Sequence, residues 1–130
     1  MSYKLEWNDQ GVVITFSDIL STKDLIKSNS ELIGNSRIET VKYIISDFTH
    51  IKGATLDESA VEITKDFAVR ANPINPNIRL AIVSDNEEII KLIESFIHKS
   101  KSEIEGADYQ HFTHINDAAE WMASLIDPAN

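Results

Sequence analysis

The chain contains no cysteine, only four glycines and only three prolines among its 130 residues. The lack of cysteine excludes disulfides, iron–sulfur clusters and thiolate zinc sites, and it is compatible with a reducing compartment. Glycine and proline are too sparse for a low-complexity or disordered segment. At this length, and with 42% hydrophobic residues, we expect one folded domain that covers residues 1–130.

Long apolar runs and basic clusters are also lacking. No apolar segment approaches the roughly 20 residues of a membrane-spanning helix, and residues 1–6 lack the basic flank and apolar core of a signal peptide. The 12 basic residues stand against 21 acidic ones, so the net charge of −9 would repel a phosphate backbone. We therefore expect a cytoplasmic protein with no membrane span and no nucleic-acid partner.

What is present is an alternation of short hydrophobic strands and amphipathic helices. Residues 3–7 and 12–16 flank a turn cluster, which predicts an antiparallel hairpin. Further strands are predicted at 41–45, 78–83 and 109–114, and helices at 22–33, 56–71, about 87–97 and about 117–125, with Pro128 just beyond the last helix. This order predicts an α/β fold: a mostly parallel mixed sheet of about five strands with an antiparallel N-terminal hairpin, flanked by four helices.

Capping residues predict where the helices begin and end. Ser21 is expected to cap the first helix, and Gly34 to end it in the left-handed conformation. Thr55 and Ser84 each stand three residues before a glutamate, which is the spacing of a capping box for the second and third helices. Asn116 is expected to cap the last helix.

Glycine motifs for cofactor binding are lacking as well. Neither Gly34 nor Gly53 belongs to a Rossmann or Walker spacing, which excludes dinucleotide or nucleoside triphosphate binding by those motifs. No cofactor is expected.

Polar residues follow the central strand and the next one. Open α/β folds bind ligands at the carboxyl edge of the sheet, near a topological switch point, so these residues form a candidate ligand- or partner-binding site. Its members are Asp47, Thr49 and His50 after the central strand, Thr55 at the start of the following helix, and Ser84 and Asp85 after the next strand.

A hydrolase would need Ser84 as nucleophile, with His50 and Asp47 as its base and orienting group, within hydrogen-bond reach. The chain has no Gly-x-Ser-x-Gly nucleophile elbow, and serine or aspartate after a strand commonly caps a helix or turn. No catalytic residue is therefore predicted.

The four histidines show no metal-binding spacing. His50, His98, His111 and His114 include no His-x-x-x-His pair on a helix and no zincin pattern. His111 and His114 would point to opposite faces of one strand. We interpret all four as surface residues and expect no metal site.

Four segments carry a family resemblance: residues 11–13, 41–48, 79–83 and 116–122. In this order, and with the elements between them, they resemble the SpoIIAA-like branch of the STAS superfamily, which includes short bacterial proteins with STAS or SEC14-like folds. The resemblance spans about residues 3–122. It implies a non-enzymatic interaction module, whose regulatory members are phosphorylated on a serine or threonine near the start of the helix that follows the central strand.

The matching region of this chain is residues 47–55, and it lacks the Asp-Ser-Ser-Gly sequence of the anti-sigma antagonists. Thr55 is the nearest hydroxyl at the expected helix start, and Ser59 lies one turn inside. The resemblance therefore names Thr55 and Ser59 as the phosphorylation candidates. A phosphate there would meet the positive helix end favourably but would replace the neutral hydroxyl cap, and a plain capping role is the preferred interpretation of Thr55.

Two functions remain open at this point. One is an interaction or regulatory module with a protein partner or a second copy of the chain. The alternative is a carrier for a small apolar or lipid-like ligand, held between sheet and helices near Ile74, Ile89 and Phe96. The wide apolar arc of the third helix is interpreted as core, the alternative being a homodimer interface or a ligand pocket.

Overall fold

A computed structural model describes residues 2–126 of the chain. The strands are β1 (Tyr3–Trp7), β2 (Gly11–Ser21), β3 (Tyr43–Thr55), β4 (Arg79–Val83) and β5 (Asp108–Phe112). The helices are α1 (Thr22–Gly34), α2 (Glu58–Ala71), α3 (Glu87–Glu103) and α4 (Ile115–Ile126), with a short 3₁₀ turn at Ser36–Glu39. The predicted α/β class, its five strands and its four helices are confirmed.

The sheet has the order β1-β2-β3-β4-β5, with β1 antiparallel to β2 and every later pair parallel. The hairpin turn is closed by the Asn8 N–H, which donates to the Gly11 carbonyl at 2.9 Å. Because the strand order follows the chain without reversal, the sheet has no topological switch point. The sheet that residues 2–126 form therefore lacks the expected switch point, whereas polar residues do gather at its carboxyl edge, and a binding site at that edge stays a prediction.

Helices cover the two faces of the sheet unequally. Helices α1, α2 and α3 pack on one face, the three-helix face, where Phe16 stacks on Phe48 with ring centroids 4.6 Å apart. Helix α4 packs on the other, the one-helix face, where Ala118 and Met122 meet Ile45 of β3. The apolar arc of α3 lies against the three-helix face, which confirms its interpretation as core.

Strands β2 and β3 are longer than predicted. Beyond the point where β4 ends, they continue as a two-stranded parallel extension, the β2–β3 arm, formed by residues 17–21 and 50–55. The register shifts twice along β2, and between the shifts Asp18 has a φ of 57°. At each shift β3 has one residue more than β2, which is the pattern of a β-bulge, a feature that increases the local twist of a strand pair.

The start of α1 agrees with the sequence, but its end does not. Ser21 accepts a hydrogen bond from the Asp24 N–H at 3.3 Å, and the Asp24 carboxylate bonds back to the Ser21 N–H, which confirms the predicted cap. The left-handed stop at Gly34 was wrong. The helix instead ends at Asn35 in an extended conformation, with a φ of −93°.

The predicted caps of α2 and α3 were also wrong. Asp57, two residues after Thr55, caps α2, and Asn86, two residues after Ser84, caps α3. Aspartate and asparagine are among the strongest N-capping residues. Each of these two stands directly before its helix, and each caps it in place of the residue that the capping-box spacing indicated.

The C-terminal elements are shifted slightly from their predicted positions. Strand β5 ends at Phe112, so His114 lies outside it and the predicted opposition of two histidines across a strand does not arise. Helix α4 begins at Ile115, which places Asn116 inside the helix rather than at its cap. Pro128 lies outside the described residues.

Candidate functional site

A buried carboxylate, that of Asp47, organises the polar residues in the middle of β3. Asp47 is 4% exposed. Its Oδ1 accepts hydrogen bonds from the Thr49 backbone N–H at 2.9 Å and from the Thr49 hydroxyl at 2.7 Å. Its Oδ2 lies 3.6 Å from the His50 Nε2. The structure therefore brings together three of the predicted site residues: Asp47, Thr49 and His50.

The end of β4 explains why these residues are accessible. Val83, the last residue of β4, pairs with Asp47, so beyond this point β3 has a strand neighbour only on its β2 side. His50 follows where the sheet narrows, and 63% of its side chain is exposed. The imidazole thus lies beside a buried carboxylate, with most of its surface in solvent, where it is accessible to an external group.

Ser84 and Asp85 do not join this cluster. Ser84 is fully buried; its hydroxyl accepts a hydrogen bond from the Asn86 N–H at 3.2 Å, and its carbonyl lies 2.9 Å from the His111 Nε2. Among residues 2–126, no hydrogen bond joins Ser84 to His50. The geometry needed for a serine hydrolase is therefore not assembled, and Ser84 serves the turn that leads into α3. Asp85 is exposed.

The start of α2 lies at the end of the β2–β3 arm. Asp57 accepts hydrogen bonds from the Ser59 hydroxyl and from the Ser59 N–H at 3.0 Å; these bonds, the hydroxyl's first, lower the pKa of Asp57. Thr55 is the last residue of β3, and its hydroxyl donates to the Leu20 carbonyl at 3.5 Å. Of the two phosphorylation candidates, Ser59 alone lies in the first turn of α2.

Two residues of α3, Lys99 and Ser95, face the start of α2. The Lys99 Nζ lies 2.6 Å from Glu62 and 3.3 Å from Glu58, and the Ser95 hydroxyl donates to Glu58 at 2.5 Å. The bond from Ser95, followed by the Lys99 contact, lowers the pKa of Glu58. Around Ser59 the surface is therefore mainly acidic, with Lys99 as a nearby cation.

A cavity of about 140 Å³ lies between the three-helix face and its helices. Its lining includes Phe16, Leu56, Ile89 and Phe96. Ile74, which the sequence placed beside this space, is 41% exposed and does not line it, so that expectation was wrong. A cavity of about 150 Å³ accommodates benzene, so the space suits a small apolar molecule and is too small for a lipid chain.

The histidines are dispersed over the fold. His50, His98 and His114 are exposed, whereas His111 is half-buried against the Ser84 carbonyl. Within the part of the chain that the structure describes, no three His, Asp or Glu side chains are close enough to hold a metal ion. In the same range, no helix has the length and apolar character needed to cross a membrane.

Sequence reasoning missed three residues that shape the site: Asp18, Asp57 and Asn86. The two caps carried a usable signal, since each is a strong capping residue directly before a helical stretch. Asp18 carried a weaker one, because aspartate is enriched among the non-glycine residues with positive φ.

No protein-family model matches the chain, and no curated protein matches it. Among solved structures, it is similar to the anti-sigma factor antagonist SpoIIAA in its unphosphorylated form, with a TM-score of 0.61 and 15% identity, over 93% of this chain and 97% of that one. It is also similar to the Bacillus cell fate determinant SpoIIAA in the phosphorylated form, with a TM-score of 0.59 and 13% identity, over 91% and 97% of the two chains.

A third similar structure is an uncharacterised DUF3478-family protein with a SpoIIAA-like fold from Shewanella loihica PV-4. Its TM-score is 0.53 and its identity 15%, over 92% of this chain and 90% of that one. All three likenesses extend over nearly the whole chain. The fold implied by the sequence resemblance is confirmed, and this chain has a SpoIIAA-like fold.

Proposed function

We propose that the chain is a non-enzymatic, STAS-type protein-interaction or regulatory module, and that its partner contacts the β2–β3 arm and the first turn of α2. The observation that carries this proposal is the fold shared with SpoIIAA over 93% of this chain, since SpoIIAA is an anti-sigma factor antagonist. The single domain of residues 1–130 and its cytoplasmic location stay predictions.

The arm has the surface character of a contact site. Ile19 is 53% exposed, the largest exposed fraction among the large hydrophobic residues of the described chain. It packs over Gly53, where an added Cβ would lie 3.3 Å from the Ile19 Cδ1. His50 and Thr55 flank this apolar spot with polar groups. An apolar centre with a polar rim is typical of protein interfaces.

The predicted site residues take different roles in this proposal. Thr49, His50, Thr55 and Asp85 would contact the partner, because each is at least partly exposed. Asp47 would hold Thr49 in place through the two hydrogen bonds described above, with His50 close beside it. Ser84 is buried and would support the turn without touching the partner.

Phosphorylation would act on Ser59 rather than on Thr55. A phosphate on Ser59 would remove the hydroxyl that now bonds to Asp57 and would place about two negative charges beside Asp57 and Glu58. The positive end of α2 would favour the phosphate, while the neighbouring carboxylates would oppose it. The result would be a rearranged start of α2 and an altered contact surface.

Site-specific photo-crosslinking in the native host tests the contact surface. A photoreactive residue at Lys52, exposed on the arm, is compared with one at Glu105, exposed in the turn before β5 at the opposite edge of the sheet. We expect a discrete protein adduct from Lys52 that Glu105 does not give, and its loss with Ser59→Glu. Equal labelling from both positions, or none from Lys52, would contradict the proposed surface.

A second candidate function, a carrier for a small apolar molecule, is favoured by the cavity of about 140 Å³. Buffer saturated with benzene should then raise the thermal midpoint of unfolding, since a ligand that binds the folded state stabilises it. Ala60→Leu, which adds volume at the cavity lining, is the matched control and should abolish the shift. An unchanged midpoint in the wild-type chain would exclude this candidate for ligands of benzene size.

A further inference from the structure

β1 is an edge strand, and the direction of its hydrogen-bonding groups can be read from its two ends. At one end the Asn8 N–H donates to Gly11, and at the other the Ser17 N–H donates to the Ser2 carbonyl at 2.7 Å. Antiparallel pairs exchange hydrogen bonds at every second residue, so residues 2, 4, 6 and 8 bond toward β2. The peptide groups that point away from the sheet belong to the other residues of β1: Tyr3, Leu5 and Trp7.

Side chains of opposite sign alternate on the outer surface of β1. Lys4 and Glu6 have side chains that are 69% and 63% exposed, and they stand on either side of Leu5. The strand sequence Tyr-Lys-Leu-Glu-Trp is therefore complementary to itself when reversed, because an aromatic residue stands at each end and charges of opposite sign flank the centre.

The geometry points to self-association: β1 of one copy pairs antiparallel with β1 of a second copy, about a two-fold axis at Leu5. In this register Lys4 of each copy stands opposite Glu6 of the other, and Leu5 stands opposite Leu5. The outward peptide groups face one another, so the pairing extends the sheet across both copies. This is an isologous interface, the type that closes as a dimer.

Electrostatics select this register over its neighbours. The direction of the peptide groups allows a shift only by two residues at a time, which places either Lys4 opposite Lys4 or Glu6 opposite Glu6. Opposite charges across antiparallel strands stabilise the pair, and like charges destabilise it. The central register is therefore the one with both the longest overlap and the favourable charges.

A groove beside β1 provides space for the second strand's inward side chains. The groove has a volume of about 520 Å³ and lies between β1 and the end of α1, with Glu31, Gly34 and Asn35 on the helix side. The Tyr3 hydroxyl donates to Glu31 at 2.7 Å, which holds the start of β1 against the helix. An ordered edge loses little conformational entropy when a second strand binds.

Lysine on an edge strand is also a device against edge pairing. Here the single lysine, Lys4, has a glutamate two residues away. Pairing with β1 of a second copy in the central register brings opposite charges together, whereas the shifted registers bring like charges together. The charges therefore disfavour the shifted registers and unrelated strands more than they disfavour pairing between two copies. β1 pairs with residues 12–16 of β2, outside the β2–β3 arm, so this self-association is independent of the proposed function.

Charge reversal at two exposed positions tests the inference. In a pair of identical chains, Lys4→Glu places a carboxylate opposite Glu6 of the other copy, and Glu6→Lys places an ammonium group opposite its Lys4, so each variant repels itself. Mixed together, the two variants restore opposite charges at both contacts without restoring the Lys4–Glu6 contact of 3.2 Å within either chain. The mixture therefore separates pairing between copies from the stability of the single strand.

Sedimentation velocity is recorded for the wild-type chain, for each variant and for the equimolar mixture. Concentrations extend to about 1 mM, because an interface of about five residues a side is expected to be weak. We expect a wild-type dimer, a dissociation constant at least about tenfold weaker for each variant alone, and recovery in the mixture.

Three results would overturn the inference. They are a wild-type chain that remains monomeric at the highest concentration, a dimer that neither substitution weakens, and a mixture no more associated than its components. Circular dichroism confirms that each variant is folded, which the exposure of both side chains leads us to expect.

Discussion

The three-helix face and the one-helix face of the sheet are packed by different means. On the three-helix face, large side chains such as Phe16 and Phe96 fill the space beneath three helices and leave a cavity of about 140 Å³. On the one-helix face, small residues allow one helix to approach closely; Ala81 and Ala118 are both 0% exposed. Packing on the three-helix face therefore depends on large side chains, and close packing on the one-helix face depends on small ones.

The two faces should therefore respond differently to substitutions that change side-chain volume. Removal of atoms should cost most on the three-helix face, where burial of large apolar surface supplies the stability. Addition of atoms should cost most on the one-helix face, where no space is left for them. Paired substitutions, matched in chemistry, test each half of the comparison.

The largest effect is expected for Phe16→Ala on the three-helix face. Phe16 is 2% exposed and stacks on Phe48, so the free energy of unfolding should fall by about 3–5 kcal/mol. Phe112→Ala is the matched change on the one-helix face, where the ring is only half-buried, and it should cost less than about 3 kcal/mol. Urea denaturation measures both, and equal losses would contradict the comparison.

Gly11→Ala should have the next largest effect, by adding one methyl group to the one-helix face. A Cβ at Gly11 would lie 2.6 Å from the ring and the carbonyl oxygen of Tyr43, so backbone must move, at a cost of about 3 kcal/mol. Gly34→Ala is the control, since nothing lies within 4 Å of a Cβ there.

The effect of Gly34→Ala also tests whether Gly34 is helical, as in the structure, or left-handed, as the sequence predicted. A left-handed stop would make alanine destabilising, whereas the observed helical position should make it stabilising by about 0.5–1 kcal/mol. A lower thermal midpoint for Gly34→Ala would support the left-handed stop against the structure.

Ala81→Val against Ala60→Val compares the two faces at smaller scale. Ala81 is 0% exposed in the centre of β4 on the one-helix face, and valine there should cost about 1–3 kcal/mol by overpacking. Ala60 lines the cavity, so valine there should cost less than about 1 kcal/mol, mainly from helix propensity. The comparison fails if the Ala60 substitution proves the more damaging in chemical denaturation.

The smallest effect is expected at the attachment of α2 to the three-helix face. Asp57→Ala removes the observed cap and should lower the thermal midpoint at neutral pH, whereas Thr55→Ala should leave it nearly unchanged. The fold lowers the pKa of Asp57 from its ordinary value of 3.8, so this stabilisation is present above that value and is lost as the pH falls below it. The gap between the wild type and Asp57→Ala should therefore narrow in acid, while Thr55→Ala stays close to the wild type, and a gap that does not change with pH would contradict an ionised cap.

The sequence was sufficient to predict the number, order and type of the strands and helices, because hydrophobic periodicity follows from which faces are buried. It was insufficient for the length of β2 and β3. In the arm, residues such as Asp18 and Lys52 break the apolar pattern, yet the two strands continue to pair with each other through backbone groups that no side-chain pattern records. Strand length here is set by the neighbouring strand.

The candidate site was predictable to the extent that it is local. Asp47, Thr49 and His50 are close in sequence, and the structure brings them together. Ser84 was expected beside them from its position after the next strand. Its hydroxyl instead accepts a hydrogen bond from the Asn86 N–H, within its own turn. Such a local hydrogen bond competes with any contact across strands, and sequence alone does not show which one prevails.

The strand order, which follows the chain from β1 to β5, has a consequence for synthesis. As the chain leaves the ribosome, each new strand finds its pairing partner already made and adds at the open edge of the growing sheet. No strand must wait for a later one in order to insert between two others, and no earlier pair must separate. We expect assembly from the amino terminus to proceed with few misordered intermediates, because every pairing step joins neighbours along the chain.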